Sequence, residues 1–128
     1  MIKDSIKLQI NHEPDCYGHL NNSLYSLYFE KARKFILKKA GLDEEKLKQK
    51  GIGVFVVASN YKYINQTRKY EEVKIDSELI KEGAKFIVKQ KMYNKEEKAT
   101  GKIEHCLVNL KTGKPKNLNH LEKILNLK

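Results

Sequence analysis

The sequence predicts an α+β domain in which a curved antiparallel sheet of about five strands wraps one long central helix. Three observations predict it. A single alternating segment comes first, at residues 4–12. A helix-spaced apolar run follows from Leu20 to Ala40. Beyond residue 53 the chain reads as β segments almost to its end. Helices segregated from a run of strands mark α+β architecture. A helix with so wide an apolar face needs a partner that curves around it.

Residues 4–12, DSIKLQINH, set Ile6, Leu8 and Ile10 against Lys7, Gln9 and Asn11, the period of a half-buried strand. Pro14, which has no N–H to give a ladder, stops it. Leu20, Leu24, Leu27, Tyr28, Ala32, Phe35 and Ile36 then share one helix face, and Tyr25, Phe29 and Leu37 widen it. Asn21, Asn22 or Ser23 can cap the start, because their side chains accept from the free first N–H groups. Lys38 and Lys39 followed by Gly41 mark the end. Residues 43–50, DEEKLKQK, suit a short charged helix capped by Asp43, which the GIG at 51–53 breaks. Four β segments follow: Val54 to Tyr63, Glu72 to Ile80, Ala84 to Tyr93 and Ala99 to Leu110. Turns at Glu82-Gly83, at Asn94 to Glu97 and at KTGKP 111–115 separate the later ones.

A chain of 128 residues suits one domain, 1–128, with 116–128 as a C-terminal tail. Leu118, Leu121, Ile124 and Leu125 give that tail the spacing of a short amphipathic helix. Cys16 and Cys106 are too few for a disulfide framework and form no CxxC pair, so they read as free thiols of a reducing compartment. His12, His19, His105 and His120 show no metal-ligand spacing, and no metal site is expected. The first residues, MIKDSIKLQI, lack a signal-peptide core, and no run approaches the ~18 apolar residues of a membrane span. A cytoplasmic protein with no membrane span is the simplest expectation. The net charge is +10, from 26 Lys and Arg against 16 Asp and Glu. Such a surface attracts polyanions, including phosphorylated cofactors. Its lysines are dispersed, as on any solvated face, and no stacking platform or reading helix accompanies them. No nucleic-acid partner is therefore expected.

The densest chemistry lies at residues 15–25, DCYGHLNNSLY, just where the helix begins. Asp15 can cap the turn or serve as a carboxylate base or nucleophile. Gly18 suits a backbone with positive φ. Asn21 can cap or tie the loop. His19 can orient water or pin the loop. Cys16, with His19 and His12 nearby in sequence, is the weaker nucleophile candidate. Glu30 is a reserve acid on the helix, more simply an ion pair with Arg33 or Lys34.

Asp15, Gly18-His19-Leu20-Asn21-Asn22, Tyr25 and Tyr28-Phe29-Glu30-Lys31-Ala32-Arg33 stand in one spaced array. This array resembles the motif of the 4-hydroxybenzoyl-CoA thioesterase-like family of hot-dog acyl-CoA thioesterases. The resemblance runs from Ile6 to about Pro115. It departs at Glu13, where the family often has Asp, and at Gln66, where a Tyr-x-x-Pro-x-Arg stretch would place proline.

The resemblance implies a hot-dog fold and hydrolysis of a thioester to free acid and coenzyme A. It implies Asp15, His19 and Asn22 as the catalytic set, with the Asn22 N–H as oxyanion donor at the helix start. It places Gly18, Asn21, Tyr25 and Arg68 around the substrate, with Asn60 and Lys62 as further basic or polar candidates near coenzyme A. No cofactor is implied, since coenzyme A is part of the substrate. The carrier is coenzyme A or acyl carrier protein. The open sheet edge implies a homodimer or homotetramer. A non-catalytic acyl-CoA or acyl-carrier-protein binding module is the alternative, and the carboxylate at Asp15 speaks against it.

Overall fold

The computed structural model describes residues 2–116. The predicted closing helix at 117–127 and His120 lie outside them. Five strands form one antiparallel sheet: β1 (Ile2–Gln9), β2 (Ile52–Tyr63), β3 (Glu72–Glu82), β4 (Lys85–Tyr93) and β5 (Glu97–Asn109). Their order across the sheet is β1-β3-β4-β5-β2. Helix α1 (Tyr25–Lys39) packs on the inner face, and the short α2 (Glu44–Gln49) follows, capped by Asp43 as predicted. This is the hot-dog arrangement.

Alternation decides which strand residues meet the helix. Val73, Ile75, Ser77 and Leu79 of β3 are buried, as are Phe86, Val88, Gln90 and Met92 of β4 and Ala99, Ile103, His105 and Leu107 of β5. The core divides along α1. Around its C-terminal half, Ile36, Leu37, Leu42 and Leu47 pack with Leu79, Phe86 and Leu107. Around its N-terminal half, Tyr25, Tyr28, Phe29 and Ala32 pack with Ile10, Ile75 and Met92. Burying one such side chain contributes about 1.5–3 kcal/mol, so these two clusters hold helix to sheet.

A polar band separates the clusters. The Arg33 Nη1 donates to the Tyr61 hydroxyl and to Gln90 Oε1, both at 3.4 Å. Gln90 Nε2 donates in turn to the Phe29 carbonyl and to Ser77 Oγ, both at 3.0 Å. Arg33 therefore turns into the core, while Glu30 is exposed, which corrects the expected surface pair. The helix also narrows relative to expectation. Leu27 and Phe35 are exposed, because the sheet takes the side presented by Tyr25, Phe29, Ala32 and Ile36. A 3₁₀ turn, Asn22–Leu24, replaces the first predicted helical turn, and β1 starts two residues and ends three residues earlier than its alternation suggested.

His105 is buried beside the cluster at the C-terminal half of α1, stacked on Phe86 with ring centroids 4.8 Å apart. Burial first, then the Arg33 guanidinium, push its pKa down to about 4. A histidine held neutral in the fold and free to protonate in the unfolded chain stabilises above its ordinary pKa of 6.5, and loses that contribution as pH falls toward 4. A shift of this size corresponds to at most ~3 kcal/mol. The unfolded chain's own positive charge also depresses its histidines, so about 2 kcal/mol is expected. Denaturant titrations at pH 7 and 4.5 should show this loss in the wild type and a smaller one in His105→Gln.

β2 is an edge. Its bulge between Val56 and Ala58 and the half-exposed Phe55, Val56 and Val57 leave apolar side chains beside unpaired backbone.

Candidate active site

The stretch from Asp15 to Tyr25 folds as a tight loop running into the 3₁₀ turn. The Asp15 N–H donates to the His19 carbonyl at 2.8 Å, and the Gly18 N–H donates to the Asp15 carbonyl at 3.0 Å. Gly18 has φ +78, the left-handed conformation that its position predicted. Asp15 Oδ1 accepts from the N–H groups of Tyr17 at 2.9 Å and His19 at 3.1 Å. Nothing among the described residues bonds the other carboxylate oxygen. Capping the turn and serving a reaction are thus compatible roles for one side chain.

Asn21 Oδ1 accepts from the N–H and the hydroxyl of Ser23, at 2.9 and 2.7 Å. That cap tightens the helix entry. Asn22 begins the turn, and its N–H has no acceptor among the described residues, the usual condition of a first-turn donor. Tyr25 is buried and donates its hydroxyl to Thr67 Oγ1 at 3.0 Å, with its ring 5.1 Å from that of Tyr63.

Asp15, His19, Leu20, Asn22 and Tyr25 form one wall of an open cleft of about 280 Å³. The other wall comes from Tyr63, Ile64, Asn65 and Gln66, at the end of β2 and in the loop after it. The fold thus brings the three expected catalytic residues to one cleft, together with Tyr25. Gly18 and Asn21 shape the loop and do not line it. Arg68 is exposed beyond it, its N–H bonded to Glu71 Oε2 at 2.6 Å. Cys16 is exposed beside Asp15 and also outside the lining. Among the described residues no group of His, Cys, Asp and Glu side chains is placed to share a metal ion.

Sequence reasoning reached the second wall only as the stretch in which Gln66 stands where the family has proline, and it missed what holds that stretch. The Leu20 N–H donates to the Thr67 carbonyl at 2.7 Å, stitching the two walls together. Lys98 of β5 is buried, and its ammonium donates to the Gln66 carbonyl at 2.8 Å and meets Glu71 Oε1 at 3.2 Å and Glu96 Oε2 at 3.3 Å. Its own carbonyl accepts from Ile64 and Asn65. Burial alone raises the Glu71 carboxyl, but the Arg68 N–H, Lys98 and Asn94 outweigh it and hold its pKa below the ordinary value. Tyr70 closes the loop at φ 72, uncommon for a bulky residue, with its N–H on the Ile10 carbonyl at 2.6 Å.

The sequence profile of the Thioesterase-like superfamily matches residues 11–124. No curated protein sequence matches this chain. Among solved structures, the chain is similar to a DHNA-CoA thioesterase from Staphylococcus aureus, with a TM-score of 0.84, 25% identity, and 94% of this chain and 83% of that one covered. It is also similar to YbaW, a probable thioesterase from Escherichia coli, with a TM-score of 0.81, 25% identity, and 98% and 96% covered. A 1,4-dihydroxy-2-naphthoyl-CoA thioesterase from Synechocystis shares the fold at a TM-score of 0.85 and 12% identity, over 97% and 96% of the two chains.

Proposed function

Because this chain belongs to the Thioesterase-like superfamily, we propose that it is a thioester hydrolase that converts an acyl-CoA to free acid and coenzyme A. One observation carries the site assignment: Asp15, with one carboxylate oxygen unpartnered among the described residues, lines the same cleft as Asn22, whose N–H has no acceptor among them. In this reading the thioester carbonyl oxygen takes the Asn22 N–H, supported by the positive end of α1. Asp15 accepts a proton from water as the water attacks the carbonyl carbon. The tetrahedral intermediate collapses, the C–S bond breaks, and the thiolate leaves and takes up a proton. Direct attack by Asp15, giving a mixed anhydride that water opens, balances equally well. His19 borders the same space and serves to orient the water or the loop. The reaction needs only water beside the substrate.

The cleft is shallow in one chain. Tyr63 and Ile64, half-exposed on its second wall, lie at the end of the unpaired β2 edge. Pairing of two β2 edges would cover Phe55, Val56 and Val57 and deepen the cleft, so the working form in this proposal is a homodimer or a multiple of it.

The test is thiol release from a panel of short, long and aromatic acyl-CoAs, with 1,4-dihydroxy-2-naphthoyl-CoA included because two similar structures carry that activity in their names. Turnover of one class, at ~1 s⁻¹ or faster, is the expected result. No release from any member, with acyl-CoA still raising the Tm, would make the cleft a ligand cradle.

A further inference from the structure

The loop that carries Asp15 stands on two feet, and one helix holds both. Its downstream foot is Leu20, whose N–H donates to the Thr67 carbonyl, while Thr67 Oγ1 accepts from the Tyr25 hydroxyl. Its upstream foot is Asn11-His12. There the hydroxyl oxygen of the buried Tyr28 accepts from the N–H of Asn11 at 3.1 Å and from that of His12 at 3.3 Å, and it meets His12 Nδ1 at 2.6 Å. The two rings stand edge to face, with centroids 5.4 Å apart and planes at 80°. Tyr25 and Tyr28, three residues apart on α1, are neighbours on one side of the helix.

Only one arrangement of protons satisfies these contacts. A phenol oxygen offers two lone pairs and one proton. Both lone pairs are taken by backbone N–H groups, which leaves the O–H to donate to His12 Nδ1. That nitrogen must then be bare, and the neutral ring carries its proton on Nε2. Asn11 and His12 are both exposed, so water can satisfy their N–H groups without Tyr28. A core side chain that bonds such backbone fixes where it lies; it does not rescue a buried donor.

Resting on the hydrolase reading, we propose that Tyr28 is a positioning residue for the reaction, with His12 as its orienting partner. The Asn22 N–H lies in the turn that leads into α1, and the Asp15 carboxylate lies on the loop. The distance between oxyanion donor and carboxylate is therefore set by how the loop is tied to the helix. Tyr25 ties one foot through Thr67, and Tyr28 ties the other directly. Neither Tyr28 nor His12 lines the cleft, so both act through Asp15. Misplacing a positioned group by about 1 Å costs on the order of 10²-fold in rate.

Ring ¹⁵N shifts of His12, read at about pH 8, should show the Nε2–H tautomer in the wild type and a mixture in Tyr28→Phe. Hydrogen exchange should find the Asn11 and His12 N–H groups protected in the wild type and unprotected in the variant. Tyr28→Phe should fold, with a Tm within about 5 °C of wild type, since water replaces the lost bonds. Its kcat should fall by about 10- to 100-fold with KM nearly unchanged. His12 separates positioning from a part in the chemistry. His12→Asn keeps an acceptor where Nδ1 stands and should retain most of kcat, whereas His12→Leu should lose as much as Tyr28→Phe. An Nδ1–H tautomer in the wild type, unchanged kcat in a folded Tyr28→Phe, or equal losses in His12→Asn and His12→Leu overturns the proposal. The hydrolase reading fails separately, by absence of turnover in the wild type. Position is then read from the amide signals of Tyr17 and His19, the groups that donate to Asp15. Their displacement in Tyr28→Phe and His12→Leu but not in His12→Asn supports the brace, and signals unmoved in all three overturn it.

Discussion

Asp15→Asn is expected to lower kcat for thioester hydrolysis by about 10²–10⁴, the range a positioned general base contributes. The substitution suits the geometry. Asn keeps an oxygen where Asp15 Oδ1 accepts from the Tyr17 and His19 N–H groups, so the loop keeps its turn. What it loses is the second carboxylate oxygen, the one left without a partner among the described residues, and with it the capacity to take a proton or attack carbon. KM should change little, since substrate binding rests on other groups. Asp15→Ala makes the comparison sharper. It removes the turn as well, at a further cost of about 1 kcal/mol in stability. If both variants fall equally in stability and hydrolysis persists in the Asn form, Asp15 is a cap and the base lies elsewhere, with His19 the next residue to replace. In single-turnover experiments in ¹⁸O-labelled water, label retained in Asp15 after hydrolysis assigns the nucleophilic route, through a mixed anhydride that water opens at the Asp15 carboxyl carbon.

Asp15, Gly18, His19, Asn21 and Asn22 were legible because their relations are local. They sit within eight residues, and their turn, cap and positive φ follow from side-chain chemistry over a few bonds. The sheet was legible for a similar reason, since alternation along each strand is set by the pleat. What holds the second wall of the cleft was not. Thr67 is 42 residues from Tyr25, and Lys98 is 32 from Gln66. Only the β2–β5 register, Tyr63 opposite Ala99, brings those segments together. Nothing in the local sequence distinguishes Lys98 from the exposed lysines around it. Arg33 misled for the complementary reason. Helical spacing offered it Glu30, but the curvature of the sheet put Gln90 and Tyr61 in reach, and the guanidinium took the inner partners. Leu27 and Phe35 are apolar and correctly spaced for a helix, yet lie beyond the arc the sheet can cover.

Lys98→Met is expected to destabilise the protein by about 3 kcal/mol, at the low end of what breaking a buried pair costs. The low end applies because Glu71 and Glu96 keep 30% and 60% of their side-chain surface and water can replace part of the lost interaction. The Gln66 carbonyl loses its donor at the same time. Glu71 then sits partly buried without its cation, so its carboxyl should move up from its depressed value. A group whose folded pKa is depressed contributes stability above its unfolded pKa and loses it as pH falls through the folded one. The deficit of Lys98→Met should therefore be full at pH 7 and shrink as pH falls through the depressed Glu71 value, where the wild type also protonates that carboxyl. The double variant with Glu71→Gln should recover part of the loss, since it removes the orphaned charge; additive losses would show that Lys98 acts through Gln66 alone. Function offers an independent readout. Lys98 touches the loop and not the cleft, so at a temperature where the variant is folded its kcat/KM should fall through looser placement of Asn65 and Gln66. The Asp15 wall, held by its own turn, should keep its geometry. A stability loss with unchanged kcat/KM would mean that the second wall needs no brace, and that Thr67, bonded to Leu20 and Tyr25, suffices to hold the cleft together.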